Sequence, residues 1–214
     1  MNVSPSLRKF NERYYLGGKY ISDNDLYNLL KEVEKINRGQ SITFHEFICA
    51  CFFLAASRIK SDINIIESGL FFRLDASNVL EKNIASVIMP IGIDHKDFLK
   101  DGSIDEIVYE KCSHLLSGSK IIVAEQKENI LAKIKKNISK NSSEKFIFGE
   151  NYKCKKNNKG FIYMDNKEKI NLPMPNLLGD FQISNVCAAI STVRNLPQFK
   201  ISKSHIVKAI TKIK

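Results

Sequence analysis

Short apolar runs alternate with stretches of helical periodicity through the middle of the chain, and this alternation most limits the fold. The runs are rich in β-branched residues and cover residues 63–66, 84–93, 121–124 and 146–148. Helical patterns separate the later runs at about 104–116 and 127–139. Strands that alternate with helices favour a parallel sheet with right-handed crossovers. The sequence therefore predicts an α/β fold with a mostly parallel sheet flanked by helices.

The flanking segments predict further helices and one small antiparallel β excursion. The helices are expected at 23–37, from 43 to about 58, at 179–194, and from Ser202 or Ser204 onwards. Gly17-Gly18 marks a turn between two short strands. Between 152 and 172 the apolar period changes to two, with turn signals at 157–160 and 165–166, which is typical of antiparallel strands.

Two of the apolar runs end in side chains able to bind a cation. Glu67 follows the first run, and Asp94-His95 follows the second. Ligands of open α/β sheets lie beyond the carboxyl ends of the strands. If the two runs are neighbouring parallel strands, Glu67 and His95 meet at one edge. Taken alone, His95 is more often a structural histidine, and Asp94 either ends the strand in a turn or orients the His95 ring.

Composition narrows the function classes. The net charge is +10, but the excess is nearly all lysine, 27 against 6 arginines, spread along the chain. Nucleic-acid readers usually carry clustered, Arg-rich patches, so we expect no nucleic-acid partner. There is no apolar run of membrane length and no signal region at the N-terminus, so we expect no membrane partner and a cytoplasmic location. A monomer is also expected. The five scattered cysteines predict reduced thiols, with Cys49 and Cys51 in the core.

Seven short motifs occur in one order along almost the whole chain. They are SPSL (4–7), FNER (10–13), TFHEF (43–47), ESGLFFRLDASN (67–78), GIDH (92–95), EK (110–111) and GDFQISN (179–185). Their order and spacing resemble the folylpolyglutamate synthase/dihydrofolate synthase branch of the Mur ligase superfamily. The resemblance implies the central ATPase-type α/β domain of an ATP-dependent amide ligase. Such an enzyme uses ATP and Mg²⁺ to turn a dihydropteroate or folate carboxylate into an acyl phosphate, which L-glutamate then attacks.

The resemblance also implies site residues, position by position. The implied metal ligands are Ser4, Glu67, His95 and Lys111, of which His95 and a carbamylated Lys111 are also the catalytic candidates. The implied ATP contacts are Asn185 and Gln182. The implied pterin-lining residues are Thr43, Phe44, His45, Glu46, Leu74, Asp75 and Ala76. Read without the family pattern, Thr43 and Glu46 form only a helix cap, and Lys111 is a surface lysine.

The chain departs from the family pattern at three places. Ser6 and Phe181 stand where the family usually has histidine, and Phe71-Phe72 stands where it has a Gly-Gly pair. The Phe-Phe change matters most, because glycine adopts positive φ without strain and lets a ligand approach closely. Either the turn follows another path here or the pterin and phosphate side is altered.

No G-x-x-x-x-G-K-[ST] phosphate loop occurs among the ten glycines. Residues 1–214 are therefore expected to be a Mur ligase central-domain fragment without the P-loop segment or the C-terminal glutamate-binding domain. Alone, it is expected neither to hydrolyse ATP nor to ligate glutamate. Two alternatives stay open, a Mur-type ligase for a peptidoglycan precursor and a non-catalytic binding protein descended from a ligase. A nucleic-acid binder comes last.

Overall fold

The computed structural model describes residues 1–213, which divide into two compact units, Met1–Leu80 and the remainder from Glu81 onwards. The first unit contains a two-stranded antiparallel hairpin and two long helices. A short 3-10 helix, Phe10–Arg13, precedes strands β1 (Tyr15–Leu16) and β2 (Lys19–Tyr20) and helices α1 (Asp23–Asn37) and α2 (Phe44–Arg58). The predicted Gly17-Gly18 turn joins the two strands, as expected.

Side-chain caps determine where the two long helices begin. The Ser22 hydroxyl accepts a hydrogen bond from the Asp25 N–H at 3.1 Å at the start of α1, and Thr43 caps α2. Helix α1 ends at Arg38, whose φ of 52° is left-handed, a common way for a helix to stop. The predicted bounds of both helices are thereby confirmed to within one residue.

The core of the first unit lies between α1, α2 and the hairpin. Tyr14 is fully buried against Phe52 of α2, and its hydroxyl donates to the Ile48 carbonyl at 2.5 Å. Cys49 and Cys51 are buried free thiols, as predicted. Burial raises the pKa of each to about 11, so both remain protonated and behave as small apolar side chains.

The apolar run 63–66 is not the buried strand that its composition predicts. Ile63 and Ile65 are exposed, and the run makes a single parallel bridge, from Ile66 to Asn2. A strand is buried when neighbours flank it on both sides. Within the described residues only the N-terminal segment runs beside this one, with the Asn2 N–H donating to the Ile65 carbonyl at 2.8 Å.

The second unit contains one parallel and one antiparallel sheet. The parallel sheet has the order β3-β4-β5 and the antiparallel sheet the order β6-β7-β8. The bounds are β3 Ala85–Ile88, α3 Ile104–Cys112, β4 Lys120–Val123, α4 Glu128–Ile138, β5 Glu144–Ile147, β6 Tyr152–Asn157, β7 Gly160–Asp165, β8 Lys169–Leu172, α5 Phe181–Arg194 and α6 Lys203–Lys212. The α/β fold class is confirmed, including the antiparallel excursion.

Helix α5 connects the two sheets of the second unit through one apolar core. Val186 and the fully buried Cys187 of α5 pack in a cluster with Phe161 and Tyr163 of β7 and Ile122 of β4. The Tyr152 hydroxyl donates to the Val123 carbonyl at 2.9 Å, which links β6 to the central strand of the parallel sheet. The start of α5 is thus held against both sheets.

Strand β3 ends at Ile88, five residues earlier than the apolar run predicts. Pro90 has no backbone N–H, so it interrupts the ladder. The Gln126 side chain takes over at this point, because its amide oxygen accepts from the Ile91 N–H at 2.9 Å and its amide nitrogen donates to the Met89 carbonyl at 3.0 Å. Residues 89–95 therefore form a loop whose first residues are held by the Gln126 side chain. No sequence pattern indicated that Gln126 has this role.

Helix α3 also ends early, at Cys112 instead of about residue 116. Beyond the helix end, backbone carbonyls accept hydrogen bonds from side chains distant in sequence. Asn141 donates to the Leu115 carbonyl at 2.7 Å, and Ser143 donates to the Leu116 carbonyl at 3.1 Å. These partners satisfy the backbone outside a helix, as buried polar groups require.

The expectation that all five cysteines are reduced is wrong for one pair. Cys154 of β6 and Cys187 of α5 form a disulfide with a Cα–Cα distance of 6.2 Å. Their sequence separation of 33 residues gave no sign of this contact, because pairing depends on how α5 packs on β6. Among residues 1–213, no helix is both long enough and apolar enough to cross a membrane.

Candidate functional site

Glu67 and Ser4 lie together in the first unit. The Glu67 carboxylate accepts a hydrogen bond from the Ser4 N–H at 2.6 Å, and the Glu67 N–H donates to the Asn2 carbonyl at 3.0 Å. The bridge between Asn2 and Ile66 aligns the two segments. Two of the four expected metal ligands are thus neighbours, and Glu67 is exposed, with a hard carboxylate oxygen of the kind Mg²⁺ prefers.

A second carboxylate, Glu12, holds the segment that follows Ser4. It accepts from the Leu7 N–H at 2.7 Å and the Arg8 N–H at 3.0 Å. These backbone hydrogen bonds, from Arg8 first and then Leu7, hold the pKa of Glu12 below its usual range. Sequence reasoning did not single out Glu12, although the FNER motif contains it.

Thr43 and Glu46 form the helix cap that their spacing predicts. The Glu46 carboxylate accepts from the Thr43 N–H at 2.8 Å and from its hydroxyl at 2.6 Å, and the Glu46 N–H donates back to Thr43 at 3.2 Å. The hydroxyl hydrogen bond from Thr43 is the main reason why the pKa of Glu46 is lowered. Both side chains are engaged within the cap, whereas Phe44 between them is 67% exposed.

Asp75 is the centre of the turn that follows Glu67. Its side chain is only 4% exposed, and its carboxylate accepts from the backbone N–H groups of Gly69 at 2.9 Å, Leu70 at 3.3 Å and Ser77 at 2.9 Å. Burial alone would raise the pKa of Asp75, but hydrogen bonds from Ser77 and Leu70 outweigh it and the pKa is lowered. Asp75 thus maintains the turn as a carboxylate.

His45 joins the two pterin-lining segments predicted from the sequence. Its Nε2 lies 3.5 Å from the Asp75 carboxylate and 3.6 Å from the Cys49 sulfur. A Cβ at Gly69 would come within 2.5 Å of the imidazole, so only glycine permits this approach. Leu74, next to Asp75, is 80% exposed. The structure therefore brings the segments 43–46 and 74–76 together. The Asp75 side chain is buried between them and the Leu74 side chain faces solvent.

Phe71 and Phe72 follow a path that does not require glycine. Among the described residues other than glycine, only Arg38 and His95 have positive φ, so neither phenylalanine is in a left-handed conformation. The Phe72 carbonyl instead accepts from the Asp75 N–H at 3.2 Å, and both rings are half-buried. The departure from the family pattern predicted either a different turn path or an altered pterin and phosphate side. The structure shows that this turn is built without positive φ at Phe71 and Phe72.

His95 begins a short 3-10 helix, Lys96–Phe98, in the second unit. Its φ is 51°, and its N–H donates to the Asp94 carboxylate at 2.8 Å. The other Asp94 oxygen lies 3.3 Å from His95 Nε2. Asp94 lies in the loop beyond Ile88 and does not end the strand, but its carboxylate contacts both the backbone and the ring of His95.

Lys111 lies in the last turn of α3 and is half-buried. Its neighbour Cys112 is buried, and this burial raises the pKa of the Cys112 thiol to about 12 although the Lys111 charge acts in the opposite direction. The half-burial distinguishes Lys111 from a fully solvated surface lysine. No observation on the described residues tests its carbamylation.

Gln182 and Asn185 lie together at the start of α5. The Asn185 side-chain amide donates to the Gln182 side-chain oxygen at 3.2 Å. The first turns of α5 border a cavity of about 350 Å³ whose lining includes Phe148, Cys154, Lys156, Asp180 and Phe181. A Cβ on Gly179, whose φ is 107°, would lie 2.4 Å from the Phe181 ring, so glycine is needed where the chain enters this helix.

The expected site residues fall into two groups, one in each unit. Ser4, Glu67 and the two pterin-lining segments belong to the first unit, and the second contains His95, Lys111, Gln182 and Asn185. The expected meeting of Glu67 with His95 across one sheet edge stays a prediction. Within residues 1–213, no group of three or more His, Cys, Asp or Glu side chains is assembled as a metal site.

Comparison with protein-family models shows which family the chain belongs to. The family model described as Mur ligase middle domain matches residues 24–193. The chain belongs to this family. Its parallel sheet, flanking helices and antiparallel excursion are thus those of a Mur ligase middle domain, which confirms the resemblance drawn from the seven motifs.

Curated relatives match this chain, among them one over almost its whole length. The dihydrofolate synthase/folylpolyglutamate synthase of Buchnera aphidicola subsp. Acyrthosiphon pisum (strain APS) is 29% identical over 215 residues, covering 99% of this chain and 49% of that protein. The protein of the same name from Bacillus subtilis (strain 168) is 38% identical over 130 residues, 57% of this chain and 30% of that protein. The chain spans about half the length of the first of these relatives.

Solved structures show the same fold. The structure described as E. coli FolC in complex with DHPP and ADP has a TM-score of 0.86 at 23% identity, over 99% of this chain and 49% of that one. The structure described as an FPGS-AMPPCP complex has a TM-score of 0.84 at 22% identity, over 100% of this chain and 56% of that one. At these identities the likeness establishes the fold alone.

Proposed function

We propose that the chain forms the central part of a cytoplasmic, monomeric ATP-dependent ligase that joins L-glutamate to dihydropteroate or folate through an acyl phosphate. The observation that supports this most strongly is the match to a dihydrofolate synthase/folylpolyglutamate synthase over 99% of the chain. The names of similar solved structures also include ADP, AMPPCP and folate. The chain spans about half the length of that relative, so we expect residues 1–214 alone to show no turnover.

Magnesium is the metal that the residues of the first unit suit best. Glu67 offers a carboxylate and Ser4 a hydroxyl, which are hard oxygen donors. The Ser4 N–H holds one Glu67 oxygen at 2.6 Å and so fixes the carboxylate in place. The metal roles expected of His95 and a carbamylated Lys111 belong to the second unit and stay predictions. A bound Mg²⁺ would supply charge neutralisation for the phosphoryl group during transfer.

An exposed apolar face on the first unit is the proposed pterin contact. Phe44 and Leu74 are the exposed members of the two segments that His45 and Asp75 join. A pteridine ring is flat and aromatic, and such rings gain from contact with aromatic and apolar side chains. Asp75 is assigned a positioning role instead of a ligand contact, because backbone N–H groups already occupy its buried carboxylate.

The proposed nucleotide contacts belong to the second unit. Gln182 and Asn185 are hydrogen-bonded to one another on α5, so each orients the amide of the other. Side-chain amides both donate and accept, which suits the edge of an adenine base. The proposed role of these residues is to orient the nucleotide, while the basic charge of the chain attracts its phosphates.

Ligand preference tests this proposal against the peptidoglycan alternative. Dihydropteroate binding is followed through pteridine fluorescence, in parallel with a UDP-muramyl peptide as competitor. We expect dihydropteroate to bind and the UDP compound to compete at least tenfold more weakly. Leu74→Arg places a charge on the proposed face, so it should weaken dihydropteroate binding at least tenfold.

Ile36→Arg is the matched control, because Ile36 is also an exposed apolar residue of the first unit but lies on α1. It should leave binding unchanged. Preferential binding of the UDP compound would contradict the folate assignment and favour the other ligase branch. Loss of binding in Ile36→Arg equal to that in Leu74→Arg would contradict the proposed face.

A further inference from the structure

The Cys154–Cys187 disulfide connects strand β6 to helix α5, two elements that are not adjacent in sequence. Cys154 lies on β6 of the antiparallel sheet and Cys187 on the second turn of α5, and their Cα atoms are 6.2 Å apart, within the usual range for a disulfide. The bond closes a loop with a sequence separation of 33 residues. It therefore ties the N-terminal part of α5 to the sheet edge independently of their apolar packing.

The two sulfur atoms differ in access. Cys187 is fully buried in the core beneath α5. Cys154 is half-buried, and it lines the cavity of about 350 Å³ together with Lys156, Asp180, Phe181 and Ser184. A small reagent can therefore approach Cys154 through the cavity, whereas Cys187 is shielded. This asymmetry is what an exchange-active pair needs, with one attacking sulfur and one resolving sulfur.

We propose that Cys154 and Cys187 are a reversible dithiol–disulfide site whose state controls how firmly the first turns of α5 close over the adjoining cavity. The oxidant is a low-molecular-weight disulfide of the glutathione class. The proposal goes beyond the ligase function and does not depend on it, because it concerns the order of α5 with no ligand bound.

The exchange is balanced in two steps. The Cys154 thiolate attacks one sulfur of glutathione disulfide, forming a mixed disulfide and releasing one glutathione thiolate. The Cys187 thiolate then attacks the Cys154 sulfur of that mixed disulfide, forming the Cys154–Cys187 bond and releasing the second glutathione thiolate. Two electrons pass from the protein to the reagent, and excess glutathione reverses both steps.

The other three cysteines are not expected to take part. Cys49, Cys51 and Cys112 are buried and unpaired, and burial raises their pKa values to about 11, about 11 and about 12. A protonated, shielded thiol is a poor nucleophile. These three buried thiols therefore serve as internal controls for the reactivity of Cys154 and Cys187.

The local structure explains why the bond matters at the start of α5. Asp180 precedes the helix and makes no capping hydrogen bond to its N–H groups. Apart from apolar packing, the first turns are held by the Lys156–Asp180 ion pair at 2.6 Å, which is exposed, and by the disulfide. Exposed ion pairs contribute little, so reduction should loosen residues 181–187 while the rest of α5 stays packed.

The test is a redox titration of the whole chain in glutathione buffers that range from fully reduced to fully oxidised. Non-reducing peptide mass spectrometry detects the linked peptides, and hydrogen exchange measures the amides of residues 181–187. We expect one two-electron transition, at least tenfold slower exchange of these amides in the oxidised form, and a Tm about 5–10 °C higher.

Cys154→Ser should remove the redox dependence of both readouts, whereas Cys112→Ser, a buried cysteine elsewhere in the same unit, should retain it. The wild-type titration decides the question by itself if Cys154→Ser does not fold. Two results would overturn the proposal. One is the absence of the linked peptide at every glutathione ratio, and the other is equal exchange of residues 181–187 in the two states.

Discussion

The two units hold their candidate ligand residues by different kinds of interaction. In the first unit, carboxylates bind backbone N–H groups, as Glu12, Glu67 and Asp75 do. In the second unit, where Glu106 and Asp165 also accept from backbone N–H groups, a disulfide and ion pairs additionally join elements distant in sequence. These pairs are Cys154–Cys187, Lys156–Asp180 and Arg194–Asp165.

This difference determines what each unit is sensitive to. A carboxylate that accepts backbone hydrogen bonds loses them when it is protonated, so acid should loosen the first unit. A link between two side chains fails when either partner is lost or chemically reduced, and pH near neutrality leaves it intact. Both units contain carboxylates of the first kind and should be loosened by acid, whereas among the described residues only the second contains a disulfide and should also respond to redox state.

The largest effect is expected from Arg194→Met in the second unit. Arg194 Nε lies 2.7 Å from the Asp165 carboxylate, and the two side chains are only 10% and 6% exposed. Removing the guanidinium leaves a buried carboxylate without its partner, which typically costs about 3–5 kcal/mol. Urea unfolding should show the free energy of unfolding of the second unit reduced by this amount.

Arg58→Met in the first unit is the matched control, because Arg58 makes a similar two-pronged contact with Glu32 at 2.6 and 2.7 Å but both side chains are solvent-exposed. It should leave stability unchanged within error. Equal losses in the two variants would show that burial does not distinguish these pairs and would contradict the contrast between the units.

A smaller effect, dependent on pH, is expected from Asp75→Asn. The pKa of Asp75 is lowered in the folded chain, so its contribution is fully present above its ordinary pKa and is lost as the pH falls through the lowered value. Near pH 7 the variant should be less stable by about 2 kcal/mol. The difference from the wild type should shrink progressively below about pH 4, measured by thermal unfolding from pH 7 to pH 3.

The exposed Asp62 provides a control for removing one carboxylate from the same unit. Asp62→Asn should match the wild type across the whole pH range. A stability difference for Asp75→Asn that does not change with pH would mean that shape, and not charge, makes Asp75 the centre of the turn.

The smallest effect should be the same in both units. Ser22 caps α1 and Ser202 caps α6, each accepting a hydrogen bond from an N–H in the first turn. Ser22→Ala and Ser202→Ala should each cost about 1 kcal/mol, measured by urea unfolding. Caps are local, so a large difference between the variants would show that one helix end depends on tertiary links that these contacts do not reveal.

Local signals predicted much of this fold correctly. Capping residues predicted the starts of three helices at Ser22 or Asp23, at Thr43, and at Ser202 or Ser204. The structure uses Ser22, Thr43 and Ser202, and such caps are predictable because the hydroxyl accepts from its own first turn. The antiparallel excursion was predicted from its period of two. The family resemblance also paired residues that prove to be neighbours, Ser4 with Glu67 and Gln182 with Asn185.

The failures have one physical cause, which is that distant partners decide the outcome. The run 63–66 has strand composition, yet its neighbours leave it exposed. Strand β3 stops at Ile88, before Pro90, and the distant Gln126 side chain bonds the backbone of Met89 and Ile91 in place of a neighbouring strand. The Cys154–Cys187 bond and the His45–Asp75 contact likewise require packing that no local pattern encodes. The hydrogen bonds through which Asp75 holds its turn were likewise not predicted.

The most direct test of the central claim is an NMR titration of the isotopically labelled chain with dihydropteroate. The account predicts saturable chemical-shift changes concentrated at residues 43–46 and 74–76, with residues of α1 such as Ile36 unaffected. Shift changes elsewhere with none in these two segments, or none at any concentration, would contradict the assignment of this face to a pterin substrate.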